Sequence, residues 1–237
     1  MATLAIPLAL LPRTATAGDY ADRAILGFSP DGSTFAFEEF GVQDGSGYAY
    51  STIHVIDVDT NAPLPGTPIR VMHDDEDIPL ATVRREAVEA AAPILEGRGV
   101  DLPGRVVVSN PASEVSTEPY QVRFLTDLYA NWGTHVWTLT LTPAAVEEKE
   151  ACLNLGPIRG VRLDLANPLG ELTTLLDEKT LPDSRGCAQD YAIADVITFF
   201  PDGPGADSMI VLLHVITQGF EGPDRRFLPI ATRFEDR

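Results

Sequence analysis

Short stretches of alternating or fully apolar residues, broken by Gly and Pro, dominate the chain. Ala24 to Phe28 is apolar and predicts a strand, and Pro30-Asp31-Gly32 after it has turn chemistry. Proline presets φ, the Asp side chain bonds the backbone just ahead, and Gly accepts positive φ. "TFAFEEF" then alternates, with Phe35, Phe37 and Glu39 on one face and Ala36, Glu38 and Phe40 on the other. The glycine-rich "GVQDGSGYAYS" predicts a loop, "TIHVIDVDT" a β-branched strand, and "NAPLPGTP" a turn into "IRVM". Four strands therefore crowd into the first unit.

The middle of the chain changes period. "DIPLATVRREAVEAAAPILEG" predicts a helix with Asp77 as N-cap and Gly97 as stop. Its apolar stripe is Leu80, Val83, Ala87, Val88 and Ala91, and Pro93 is expected to kink or end it. A second short helix is expected at "TPAAVEEKEA", with Thr142 as cap and Pro143 at the first helical position. Between them "YQVRFLTDLYA" and "HVWTLTLT" flank Asn131-Trp132-Gly133 as a hairpin, and "GVRLDLANPLGELTTLLDE" reads as strand, turn, strand. No βαβ alternation is present, so the expected class is mainly β, built from antiparallel meanders with one or two inserted helices. A β-sandwich is the alternative.

Two segments say the same thing. "DYADRAILGFSPDG" and "DYAIADVITFFPDG" align without a gap, Asp19 on Asp190 and Gly32 on Gly203, with seven of fourteen positions identical. The shared Pro30, Asp31, Gly32 and Pro201, Asp202, Gly203 are expected to be structural turns. "FSPDGSTFAFEEF" followed by "IHVIDVDTN" resembles a blade of a TolB- or WD40-type β-propeller. The second copy, "PGADSMIVLLHVITQGF" and onward, lacks the D-x-x-T ending of that blade. The implied organisation is one β-rich domain over 18–237, with blade-like repeats near 19–72 and 190–237.

The first residues are of another kind. Ala5 to Leu11 is apolar and Ala15-Thr16-Ala17 has small residues at its ends, which predicts a signal peptide over 1–17 with cleavage before Gly18. A basic n-region is missing, because the first basic residue is Arg13, which leaves two readings open: a start upstream of Met1, or a buried N-terminal strand in place of a signal. No apolar run is long enough to cross a bilayer. In an exported chain the two cysteines, Cys152 and Cys187, favour a disulfide over two buried thiols, and neither sits in a CxxC pair that would suggest zinc.

Composition narrows function more than it names it. Seventeen basic residues against 35 acidic ones give a net charge of −18, which repels polyanions, so nucleic acid is not an expected partner. The acidic run "HDDEDI" reads as the lead-in to a helix, and "DVDTN" as a strand-ending turn. Each lacks the glycine and spacing of a calcium loop. No nucleophile elbow, zincin, S-x-x-K or phosphate-loop motif occurs, so no catalytic, cofactor-binding or metal residue is assigned, and no cofactor is expected. Aromatics in loops are the remaining candidates for binding: Tyr48, Tyr50, Tyr129, Trp132 and Phe220.

Through "GFSPDGSTFAFEEFGVQDGSGYAYSTIHVIDVDTN", "GTPIRV", "RREAVEAAAPIL" and "SRGCAQDYAIADVITFF", the chain resembles an uncharacterised family of predicted secreted bacterial proteins, a domain of unknown function. The resemblance spans nearly everything after Ala17 and implies export and a β-rich fold, with no reaction or ligand attached. The expected role is that of a periplasmic or secreted binding or scaffold module for a protein or cell-envelope partner. The alternative is a hydrolase assembled from distant carboxylates and from His54, His135 and His214.

Overall fold

The structure is a computed structural model that describes residues 18–126, 135–201 and 207–234. Thirteen strands and one α-helix follow one another along it. The first sheet contains β1 (Asp22–Phe28), β2 (Thr34–Val42), β3 (Ala49–Asp57), β4 (Ala62–Pro63) and β5 (Ile69–Met72), and α1 (Leu80–Arg98) follows it. The chain then lays down β6 (Arg105–Ser109), followed by a sheet of β7 (Gln121–Phe124), β8 (Trp137–Ala145), β9 (Arg159–Ala166) and β10 (Leu172–Asp177). The last strands, β11 (Ala188–Phe199), β12 (Asp207–Gln218) and β13 (Pro223–Phe234), join β6 in the order β13-β12-β11-β6. Every ladder between these strands is antiparallel.

The last sheet to be made lies in the middle. One of its faces packs Ile210, Leu212, Ile197 and Phe227 against Phe28, Phe35, Phe37 and Tyr50 of the first sheet. The other packs Met209, Val211, Leu213 and Val196 against Leu139, Leu141, Val161 and Leu163 of the β7–β10 sheet. A strand covered on both faces has no polar side to show, which explains the unbroken apolar run "MIVLL" in β12. Helix α1 covers the outer face of the first sheet, packing Ala87 and Ala91 on Ile53 and Val55. The layers therefore run helix, sheet, sheet, sheet. The described strands form stacked open sheets and do not close into a ring, so the antiparallel β expectation holds while the propeller arrangement is not seen.

The two similar segments meet in the structure. Phe28 and Phe199, aligned in the two copies, stack on each other across the seam between the first and middle sheets, 4.9 Å apart and 8° from parallel. The two aligned aspartates also do similar work: Tyr50 donates its hydroxyl to Asp19 at 3.0 Å, and Tyr120 donates to Asp190 at 2.9 Å. Neither aspartate belongs to a cluster of metal-ligating residues among those described.

At the first turn, the Asp31 carboxylate accepts from the Ser29 hydroxyl, the Ser33 backbone and the Ser33 hydroxyl, which holds it down at about 2. Gly32 sits there at φ 70°, and Ser208 donates to its carbonyl at 2.9 Å, tying the turn to β12. Pro201 is the last described residue before the second turn, and Asp202 and Gly203 lie outside the described residues.

Two helix expectations need correction. Helix α1 starts at Leu80 behind Pro79 and stops at Gly99, in the left-handed region at φ 64°, so Asp77 is not its cap and Gly97 is not its stop. It runs straight through Pro93, which is exposed. Glu89, the residue whose carbonyl this proline cannot satisfy, is exposed as well, where water can take the place of the lost donor. The second helix does not form. Thr142 to Ala145 instead extend β8, pairing Thr142 with Arg162, Pro143 with Val161 and Ala145 with Arg159. Sheet pairing has overridden local propensity, and only a 3₁₀ turn at Glu150–Cys152 remains.

Candidate functional site

Cys152 and Cys187 are joined, their Cα atoms 5.6 Å apart, which pins the turn after β8 to the entry of β11. Cys152 is buried in the apolar cluster shared by the middle sheet and the β7–β10 sheet.

The seam on the other side of the middle sheet is full of charge. Asp19, 5% exposed, accepts from Tyr50 and from the Arg226 guanidinium, and its backbone pairs with Arg225. Glu39, equally buried, accepts the Phe227 amide at 2.7 Å; burial raises its pKa despite that bond. Arg23 of β1 crosses to grip Asp195 of β11 through two nitrogens, at 2.7 and 2.5 Å, and Asp195 is 2% exposed. Arg233 reaches Asp59 at 2.7 Å, and the Asn61 side chain accepts the Ala231 amide at 2.7 Å. These last two contacts show what "DVDTN" does: it ties the end of β3 to β13.

Two of the four histidines lie in this seam. His54 stacks on Phe37 at 4.6 Å, and burial lowers its pKa to about 4. His214 packs on Phe227 at 5.0 Å, and Phe37 and Phe227 meet edge to face at 6.4 Å. Two phenylalanine rings therefore separate the histidines, and no assembled His54–His214 pair exists. His73 bonds Glu86 at 2.6 Å at the rim of α1, away from both.

The aromatic candidates divide sharply. Tyr50 is not a loop residue: it is fully buried in β3, with burial raising its pKa, and the guanidinium of Arg226 sits over its ring. Tyr129 and Trp132 lie outside the described residues. Tyr48 is half-buried in the loop after β2, whereas Phe220 is 80% exposed at the tip between β12 and β13. These two loops meet. The Glu221 amide donates to the Asp44 side chain at 3.2 Å, and a Cβ on Gly45 would sit 3.4 Å from the Phe220 ring. Glu76 comes down beside Gly47, so one end of the molecule presents an exposed aromatic among Asp44, Glu76 and Glu221.

A cavity of about 460 Å³ opens in the same seam, beneath Tyr20 and the loop that follows β6. Its floor holds Asp195 and His214, each a polar residue inside an apolar strand ("IADVITF", "IVLLHVI"). That polar interruption was the sequence signal for this site, because a buried polar group is more informative than a buried apolar one. Sequence reasoning missed Arg23 and Asp195 altogether, since nothing local links residues so far apart.

No helix among the described residues is long and apolar enough to cross a membrane. No curated protein matches the chain. The profile of the family described as "Predicted secreted protein (DUF2259)" matches residues 36–233, from β2 to the end of β13. The chain belongs to that family of predicted secreted proteins, whose function is unknown.

Proposed function

We infer that the protein works in the periplasm or outside the cell as a non-enzymatic binding module. Its contact face is the end where the β2–β3 and β12–β13 loops meet, and its partner is a protein bearing a cationic surface around an apolar socket. The reading is carried by Phe220, an aromatic ring left 80% exposed where the other exposed aromatics among the described residues, Tyr20 and Phe200, reach 44% and 38%, on loops fastened together by the Asp44–Glu221 bond. Exposed aromatics on a rigid support are common binding anchors, and a rim of Asp44, Glu76 and Glu221 favours a partner of opposite charge. A net charge of −18 favours the same kind of partner. The two copied meanders, read as one blade-like sheet module used twice, supply the support on which the loops stand.

The test is affinity capture from the envelope fraction of the host with the oxidised protein, compared across variants. Phe220→Ser and Glu221→Lys are expected to lose the captured partner. Leu169→Ser, which removes an equally exposed apolar side chain on the β9–β10 turn, is expected to keep it. Equal capture by all three variants would exclude the loop end as the contact face.

A further inference from the structure

The cavity beneath Tyr20 is independent of the loop end and carries an inference of its own. His214 is 4% exposed on its floor, and among the described residues neither ring nitrogen makes a well-formed hydrogen bond, although the Asn110 backbone lies close enough to favour the protonated ring. Leaving a donor or acceptor dry in an interior forfeits its hydration with nothing in return. The cavity beside the ring has room for a small molecule, at about 460 Å³. Its walls are mainly apolar, formed by Tyr20, Pro111, Ala112 and Phe227.

Charge decides what kind of occupant fits. Burial and the neighbouring Arg225 guanidinium lower the pKa of His214, with the Asn110 backbone and Asp195 pulling the other way. The neutral ring offers one donor and one acceptor. The Arg23 charge is already met by Asp195, and Asp22 lies at the rim. An anion would meet Asp22 and the field of an acidic protein, and a cation would meet the Arg225 guanidinium, which already acts on the His214 ring. We propose that this cavity is a binding site for a small uncharged amphipathic molecule. Such a ligand carries a hydroxyl or carboxamide toward His214 on a compact apolar body held by Tyr20, Pro111 and Phe227.

Benzyl alcohol, toluene and benzoate serve as probes, titrated into the oxidised protein while the His214 ring resonances are followed by NMR. Benzyl alcohol is expected to shift those resonances saturably, with toluene and benzoate each at least about tenfold weaker. His214→Phe, read through the ring resonances of Tyr20 and Phe227, is expected to weaken benzyl alcohol by the same factor or more. Ala112→Trp, which fills the cavity from its loop without touching the core of the middle sheet, is expected to abolish binding while the unfolding midpoint holds. The proposal is overturned if the His214 resonances do not respond saturably, if benzoate or toluene binds as well as the alcohol, or if Ala112→Trp folds and still binds.

Discussion

The middle sheet is held by two different seams. Toward the β7–β10 sheet the contact is almost wholly apolar, from Leu139 and Leu163 to Met209 and Val211, and it is pinned by the Cys152–Cys187 bond. Toward the first sheet, apolar rings alternate with buried charge: Asp19 with Arg226, Asp195 with Arg23, Glu39 on the Phe227 amide, and His54 and His214 among phenylalanines. Buried ion pairs roughly balance their own desolvation, whereas apolar area stabilises outright. The charged seam is therefore the half of the molecule that conditions and ligands can adjust. Both the cavity and the fastened loops lie along it.

The comparison can be broken from either side. Removing the covalent pin with Cys152→Ser and Cys187→Ser together should cost roughly 3 to 4 kcal/mol of unfolding free energy, for a loop closed across a separation of 35 residues. Urea unfolding measures this, and a loss below about 1 kcal/mol would mean that the apolar seam does not depend on the pin.

Next in size is a contrast between the two copies. Asp19→Ala leaves the Tyr50 hydroxyl unmet and the Arg226 guanidinium with only two backbone carbonyls and Glu39 at 3.9 Å, and should cost about 2–3 kcal/mol. Asp190→Ala loses two part-buried bonds, from the Tyr120 hydroxyl and the Tyr191 amide, but strands no charge and should cost about 1 kcal/mol. Similar losses would show that the charged setting of Asp19 adds nothing.

Acid sharpens the comparison further. The His54 pKa falls from 6.5 unfolded to about 4 folded. Between those values the unfolded chain binds the extra proton, so stability rises with pH there and is lost as pH falls toward 4. Allowing for partial exposure, the contribution is about 2 kcal/mol. The raised Glu39 has the opposite sign, its share being lost as pH rises. The clean measurement is therefore the difference between wild type and His54→Phe: the variant should show a flatter dependence from pH 6.5 to 4, and parallel curves would remove His54 from the account.

The smallest effect is expected at the loop end. Phe220→Ser should move stability by no more than about 0.5 kcal/mol, because its ring is exposed, while removing partner capture. A larger drop in the unfolding midpoint would make Phe220 a packing residue.

Much of the strand content was legible because its cues are local. Alternation in "TFAFEEF", the Pro30-Asp31-Gly32 turn and the β-branched run before Asp57 all sit where the structure uses them. The disulfide followed from two cysteines in a chain that reads as exported. What failed was non-local. "TPAAVEEKEA" carries helix signals, yet β9 supplies a ladder partner as far as Ala145. Tyr50 adjoins a glycine-rich loop in sequence, and its side chain turns inward to Asp19, which only the folded chain brings near. The cavity belongs to this second kind, because His214, Asp195 and Arg23 meet through sheet stacking and share no spacing.

The most direct test of the claim that the charged seam is the adjustable one is amide hydrogen exchange of the oxidised protein at pH 7 and pH 4.5, corrected for intrinsic exchange rates. The account predicts that protection falls in β1, β2, β3 and the Asp19–Ala21 segment at the lower pH, while β8 and β9 keep theirs. Equal loss across both halves, or earlier loss in β8 and β9, would contradict it.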